Sequence, residues 1–280
     1  MIDLLLQLEA ELRRAAPDVA AKLLPGLEPD RIEALLAELP YPVPEEVRAL
    51  YAWHNGTDYA YGAYRAEIYR GGMFLPLHEA LSNRSGALGN TEGWDERWLP
   101  LFMDEHFLFH AVVCGPEGGA VVYFSYLDLP DFEVDYPSLS ALVRSVIKRW
   151  QTGVYWILET GEVSLDPRAL AALRREEDGA DPDVAGLVAT LHDGFNGRER
   201  DWSSALSRLR TRLYPSAVPL LVSLLADPSG HSHFYAVELL WAIQDPMALP
   251  ALERAAREDA EENVRRYAQK AIREWGGAPT

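Results

Sequence analysis

FLFHAVVCGPEGGAVVYFSY, residues 107–126, is the stretch whose reading decides the fold. Phe107 to Cys114 and Ala120 to Tyr126 are rich in Val, Phe and Tyr. They flank a five-residue loop, Gly115-Pro-Glu-Gly-Gly119, that holds three glycines. That is a β-hairpin signal. The glycines do not make a phosphate cradle, because a helix would have to follow them and a Val-rich strand follows instead. Upstream, Tyr59, Tyr61 and the run from Tyr64 to Tyr69 are strand material bounded by Gly71-Gly72. Phe74-Leu-Pro-Leu77 is a short extended piece before a brief helix at His78 to Leu81, and residues 82–97 read as a long polar loop. Downstream, Ser138 to Trp150 is an amphipathic helix with Leu139, Leu142, Val143 and Val146 on one face.

Further out, the first 55 residues are helical by pattern. Leu5, Leu8 and Leu12 share a face. Pro25-Gly26 breaks the chain, and Pro29-Asp30 opens a helix carrying Ile32, Leu35, Leu36 and Leu39. Pro40, Pro42 and Pro44 force an extended stretch. A third helix follows with Glu45 and Glu46 in its first turn, Val47, Leu50 and Tyr51 on its face, and Asn55-Gly56 as its stop. Helices, then strands, then a helix, without βαβ alternation, give an α+β class with a mixed or antiparallel sheet and flanking helices.

Three motifs resemble the SUKH superfamily, which includes the yeast cell-wall assembly regulator and many bacterial immunity proteins. The first is Leu39-Pro40, then Val47-Arg-Ala-Leu-Tyr51 and Trp53-His-Asn-Gly56, preceded by Leu24-Pro-Gly26. The second is Met73-Phe-Leu-Pro-Leu-His-Glu-Ala-Leu81. The third is Trp98-Leu-Pro-Leu-Phe102, followed by the hairpin and the Ser138 helix. The resemblance covers residues 1–158 and implies a SUKH-like domain that acts by binding another protein. One departure is Met103-Asp-Glu-His-Phe107, where a glycine and an aspartate would be expected.

The tail is a different object. Ala217-Val-Pro-Leu-Leu221 recurs as Ala248-Leu-Pro-Ala-Leu252 at an offset of 31, and Tyr235-Ala236 recurs as Tyr267-Ala268 at an offset of 32. Such a period marks stacked helix pairs. Val218, Leu221, Val222 and Leu225 form one face, Ala236, Leu239, Leu240 and Ile243 the next, and Val264, Tyr267, Ala268 and Ala271 repeat it. These features resemble HEAT repeats of the phycobilisome-lyase type, a short all-α solenoid over 184–275. Val184, Leu187, Val188 and Leu191 with Trp202, Ala205, Leu206 and Leu209 suggest a degenerate further pair. Residues 159–183 are read as a linker with room for a short helix, the run RREEDGADPD at 174–183 being its most polar part.

With 280 residues, two units are expected. The formal net charge of −17 disfavours nucleic acid and anionic membranes and favours basic partners. Cys114 stands alone, which excludes an internal disulfide and suits a reducing compartment. The acidic start MIDLLLQLEAELRR is an amphipathic helix rather than a signal peptide, so the expected location is cytoplasmic.

No catalytic constellation emerges. His231-Ser-His233 reads as a polar loop between helices, and His106 and His110 are too far apart on a strand to share a zinc ion. No nucleophile elbow, Walker loop or dinucleotide fingerprint occurs, so neither metal, cofactor nor enzyme activity is expected. What remains is charge: between Glu45 and Val143 there are 15 acids against 5 arginines. Asp58, Glu92, Asp95, Glu96, Asp104, Glu105, Asp128, Asp131, Glu133 and Asp135 fall in or beside expected loops, interleaved with Tyr59, Tyr61 and Trp94. Carboxylates steer a basic partner while aromatics supply buried contact. With the resemblance, this points to an immunity-type binder of a basic nuclease toxin. The alternative is a regulatory scaffold whose two parts bind different proteins.

Overall fold

The computed structural model describes residues 1–58, 66–88, 93–103, 108–125, 133–166, 169–170, 172–173, 184–193, 205–206, 209, 213–227 and 232–275. The chain divides into two compact units, Met1–Leu165 and Asp166–Thr280. Residues 174–183, the most polar part of the expected linker, lie outside the described residues.

The first unit opens with α1 (Ile2–Ala15), which buries Leu5, Leu8 and Leu12, and the short α2 (Pro17–Ala20). Strand β1 (Leu23–Pro25) comes before α3 (Pro29–Leu36) and α4 (Glu45–Trp53). The helix α4 stops at Trp53, and the next four residues form β2 (His54–Thr57), antiparallel to β1. Gly56 is required there: its φ is +84°, and a Cβ would sit 2.4 Å from the Pro76 nitrogen. Gly26 is constrained as tightly, since a Cβ would lie 2.0 Å from the Ala52 carbonyl oxygen.

The sheet is a six-stranded antiparallel meander. Its order is β3 (Glu67–Tyr69), β4 (Gly72–Phe74), β5 (Trp98–Met103), β6 (Leu108–Val113), β7 (Val121–Ser125) and β8 (Glu133–Tyr136). The hairpin expected from the glycine loop is β6–β7, with Val112 opposite Val121 and Phe109 opposite Phe124. Between β4 and β5 runs α5 (Leu77–Ala87). This corrects the polar loop expected from residue 82. The helix continues to Ala87 because Arg84 and Ala87 extend the buried face of Leu77, Ala80 and Leu81. The Arg84 guanidinium is satisfied by donating to the Glu96 carbonyl at 3.1 and 2.5 Å. A buried arginine so satisfied takes the place of an apolar residue.

The closing helix α6 (Leu139–Gln151) is capped by Ser138, whose hydroxyl accepts from the Ala141 amide at 3.1 Å. Its Trp150 is 1% exposed and donates Nε1–H to the Ile68 carbonyl on β3 at 2.9 Å. Helix α1 lies along α6, and Arg14 donates to the Trp150 carbonyl at 3.2 Å. The first unit then continues past residue 158, where a sequence reading ends it. Strands β9 (Tyr155–Ile157) and β10 (Val163–Leu165) form a further hairpin, and β10 lies near β3.

The second unit is helical: α7 (Val184–Asp193), α8 (Val218–Leu224), α9 (His233–Ile243), α10 (Leu249–Glu258) and α11 (Glu262–Arg273). Both copies of the recurring Pro-containing motif do the same thing. A 3-10 turn, Pro215–Ala217 or Pro246–Ala248, leads into a helix with proline near its start. Helix α8 packs on α9, α10 on α11, and α9 on α11, so the two pairs meet through their second helices. His233 pins this arrangement: Nδ1 meets the Asp259 carboxylate at 2.6 Å and Nε2 the Asp227 carbonyl at 2.8 Å, with the residue 8% exposed. His231 lies outside the described residues.

Candidate partner-binding surface

Alternation along β6 and β7 sorts their residues onto two faces. Phe109, Ala111, Val122 and Phe124 join Trp98 in a buried cluster on one face. Trp94 closes over it, edge-on to Trp98 at 5.5 Å, Phe109 at 5.9 Å and Phe124 at 5.2 Å. It is partly buried, and its Nε1 is enclosed without a hydrogen-bond partner among the described residues. Trp94 therefore contributes packing to the sheet whatever else it touches.

The two acids beside it are held from within. The Asp95 carboxylate accepts from the Arg97 amide at 2.8 Å and from the Arg97 guanidinium at 3.0 and 2.6 Å. That side-chain pairing lowers the Asp95 pKa. The Tyr41 hydroxyl donates to the Glu96 carboxylate, which raises the Tyr41 pKa. The Cys114 amide donates to the Arg97 carbonyl at 2.7 Å and the Gly115 amide to the Pro42 carbonyl at 2.8 Å. The 93–97 segment, the 41–42 segment and the β6–β7 turn are thereby strapped into one rim.

Of the other acids singled out in the sequence, Asp58 is exposed just after β2, its amide donating to the Lys22 carbonyl at 2.7 Å. Glu133 opens β8, its backbone opposite Tyr123. Tyr59, Tyr61, Glu92, Asp104, Glu105, Asp128 and Asp131 lie outside the described residues. Asp135 stands on β8, three strands along the sheet from β5. Its carboxylate is 13% exposed and turned to His110. A carboxylate so placed contributes little to long-range steering.

Asp135 belongs to a polar constellation on the opposite sheet face. His110 Nε2 lies 3.1 Å from the Asp135 carboxylate, and Nδ1 lies 2.9 Å from the Tyr69 hydroxyl. A carboxylate only accepts, so Nε2 carries a hydrogen, and in the neutral ring Nδ1 accepts from the Tyr69 hydroxyl. Arg149 donates to the Tyr155 hydroxyl at 3.0 Å and the Tyr136 hydroxyl at 3.3 Å. Burial pushes the Tyr69 phenol well above its usual range and raises Tyr136 as well. Burial opposes the Arg149 charge, but the Tyr155 and Tyr136 oxygens outweigh it and hold its pKa above the ordinary value. Phenols raised in this way are poor nucleophiles and poor bases near neutral pH. The constellation holds strands together: it ties β3, β6, β8, α6 and β9. Sequence reasoning set His110 beside His106, which lies outside the described residues. The usable signal was alternation, which turns His110 inward with Val112 and so demands a polar partner.

Among the described residues no group of three His, Cys, Asp or Glu side chains is placed to hold a metal ion, and no helix is long and apolar enough to cross a membrane. Residues 26–145 match the model of the SMI1 / KNR4 family (SUKH-1). The matched segment includes the whole six-stranded meander and ends inside α6, so it takes in the aromatic cluster, the 93–97 rim and most of the buried constellation. No curated protein matches the chain.

Proposed function

Starting from a SUKH-1 domain, a protein-interaction module, we propose that this chain is a non-enzymatic, cytoplasmic immunity-type protein that neutralises a basic nuclease toxin of a bacterial polymorphic toxin system. The observation that carries this reading is where the acid lies. The first unit has 25 acidic and 12 basic residues, a net of −13, while the second has 18 and 14, a net of −4. Most of the excess negative charge therefore belongs to the unit with the family match. A basic toxin is attracted to such a surface before contact, and aromatic and apolar groups then hold it.

The test is stopped-flow association of the chain with a basic nuclease toxin domain of its native host, at low and high salt, alongside a nuclease assay. The expected result is an association rate that falls as salt rises and a nuclease silenced at one equivalent. A salt-independent rate, or a nuclease that stays active in the complex, overturns the proposal.

A regulatory scaffold is the second reading. In it the helical unit is a short stack of HEAT-like repeats of the phycobilisome-lyase type with a partner of its own. Its support is the 31–32-residue recurrence and the matching pair of 3-10 turns into α8 and α10.

A further inference from the structure

Helix α11 carries two stripes. Val264, Ala268 and Ala271 are buried. A second stripe at helical spacing, Arg266, Tyr267, Lys270 and Arg273, faces an open groove of about 700 Å³ whose other wall includes Phe234 of α9. The Phe234 and Tyr267 rings stack at 4.8 Å, and the Trp241 ring meets Tyr267 edge-on at 5.6 Å. Lys270 Nζ sits 5.1 Å over the Trp241 ring. The aromatic wall is therefore continuous and ends on a cation. Phe234 is 37% exposed, a large apolar side chain left in water at the mouth of the groove.

The charges here are unlike those of the rest of the protein. Three cations line the groove against one carboxylate, Glu261. Arg266 and Arg273 are exposed and form no ion pair among the described residues. In the first unit Arg48 bridges Glu33 and Arg97 bridges Asp95, while the exposed Arg31, Arg70 and Arg144 line no aromatic groove among the described residues. On a chain of net charge −17, uncompensated arginines gathered around exposed aromatic carbon are a place of opposite preference.

We infer that the α9–α11 groove is a docking site for an acidic peptide segment of a partner protein, one that sets an apolar or aromatic side chain between carboxylates. Phe234 and Tyr267 receive the apolar side chain, and Arg266, Lys270 and Arg273 take the carboxylates. A nucleic acid fits less well, since its dense phosphate charge meets the repulsion of the whole chain. The inference concerns the second unit and stands whether or not the first unit binds a toxin.

The test is fluorescence anisotropy of a labelled peptide of about twelve residues, Glu alternating with Leu and Trp, titrated with the full chain; a Lys-for-Glu peptide and a single-stranded oligonucleotide serve as competitors. The expected result is saturable binding that weakens about tenfold between roughly 50 and 300 mM salt and is not displaced by the Lys peptide. Arg266→Glu with Arg273→Glu should reduce affinity at least about tenfold with at most a small drop in melting temperature, since neither side chain forms an ion pair among the described residues and Arg273 gives up only its place in the last turn of α11. Phe234→Ala should weaken binding several-fold at every salt concentration. Lys270→Glu also removes the contact to Trp241, so the double arginine variant decides the matter. Absence of binding, affinity untouched by the arginine reversals, or tighter binding of the oligonucleotide through the same residues would each overturn the inference.

Discussion

The two units treat charge in opposite ways. In the first, the sequence is strongly acidic, yet the arginines described above are consumed internally. Arg84 is tied to the Glu96 carbonyl, Arg97 to Asp95, Arg48 to Glu33 and Arg149 to two tyrosines. Arg31, Arg70 and Arg144 stay exposed there, but the acids outnumber the basic residues of that unit by 25 to 12. The second unit is close to neutral, yet α11 places Arg266, Lys270 and Arg273 in a groove with a single carboxylate. The net charge of the whole chain is thus a poor guide to what one face will bind. What matters is which charges the fold has already spent on itself.

The sharpest way to break the comparison is to unfold one side of it. Trp150→Ala should remove about 3–5 kcal/mol from the first unit, because a fully enclosed indole and its bond to Ile68 are lost together. Urea unfolding followed by circular dichroism should show that unit's transition moving alone. If both transitions move together, the units do not behave as separate folding bodies. The matching change in the second unit is His233→Ala, with an expected cost of about 1–3 kcal/mol because the enclosed Asp259 carboxylate loses its imidazole partner and, among the described residues, keeps only the Glu261 amide. A variant that melts like the parent would mean that the α8–α11 stack does not depend on this pin.

Two smaller effects sharpen the picture of the first unit. Cys114 is buried, and burial pushes its thiol up to about 11. At pH 8 the thiolate is then about one part in a thousand, so a disulfide reagent should react slowly until denaturant opens the sheet. Rapid labelling in native buffer would show β6 to be more open than described. The smallest effect belongs to Asp95. Its folded pKa is depressed, mainly by Arg97, so its contribution is present above the ordinary value of 3.8 and is lost as pH falls through the lower folded value. Arg97→Met should therefore lower stability slightly at neutral pH and flatten the acid limb, the two proteins converging once the pH is below the folded value of Asp95. Equal acid limbs in the two proteins would show that the bridge is spent on solvent.

How much was legible follows from distance along the chain. Stripes such as Leu5, Leu8, Leu12 and Leu139, Leu142, Val143, Val146 declare themselves within one helix, and the Gly115–Gly119 loop declares its own hairpin. The stretch after Leu81 did not, because an arginine holds a core position in α5 and no periodicity scan counts it as apolar. The β1–β2 pairing was hidden by its brevity, since three or four residues find partners some 30 positions away. The same limit applies to the site. Asp135 could be named as an acid but not as a partner of His110, because that contact exists only once β6, β7 and β8 are in register. Trp94 was legible as an exposed-or-packed aromatic, and only the neighbouring rings at Trp98, Phe109 and Phe124 say how far it is engaged.

The seam between α1 and α6 has a consequence for how the chain is made. Arg14 reaches Trp150 across 136 positions and Gln151 reaches Glu11 across 140. The opening helix of the first unit meets α2 and α4 early, with Trp53 donating to Glu9 at 2.9 Å, but its seat is incomplete until the last helix of that unit has left the ribosome. At about 5–20 residues per second, α1 waits roughly 7–27 seconds with its α6-facing side uncovered. Contacts this remote in sequence also make for slow closure once synthesis is complete. During translation the α6-facing side of the opening helix therefore needs shielding, and truncating the chain before α6 leaves that side permanently open.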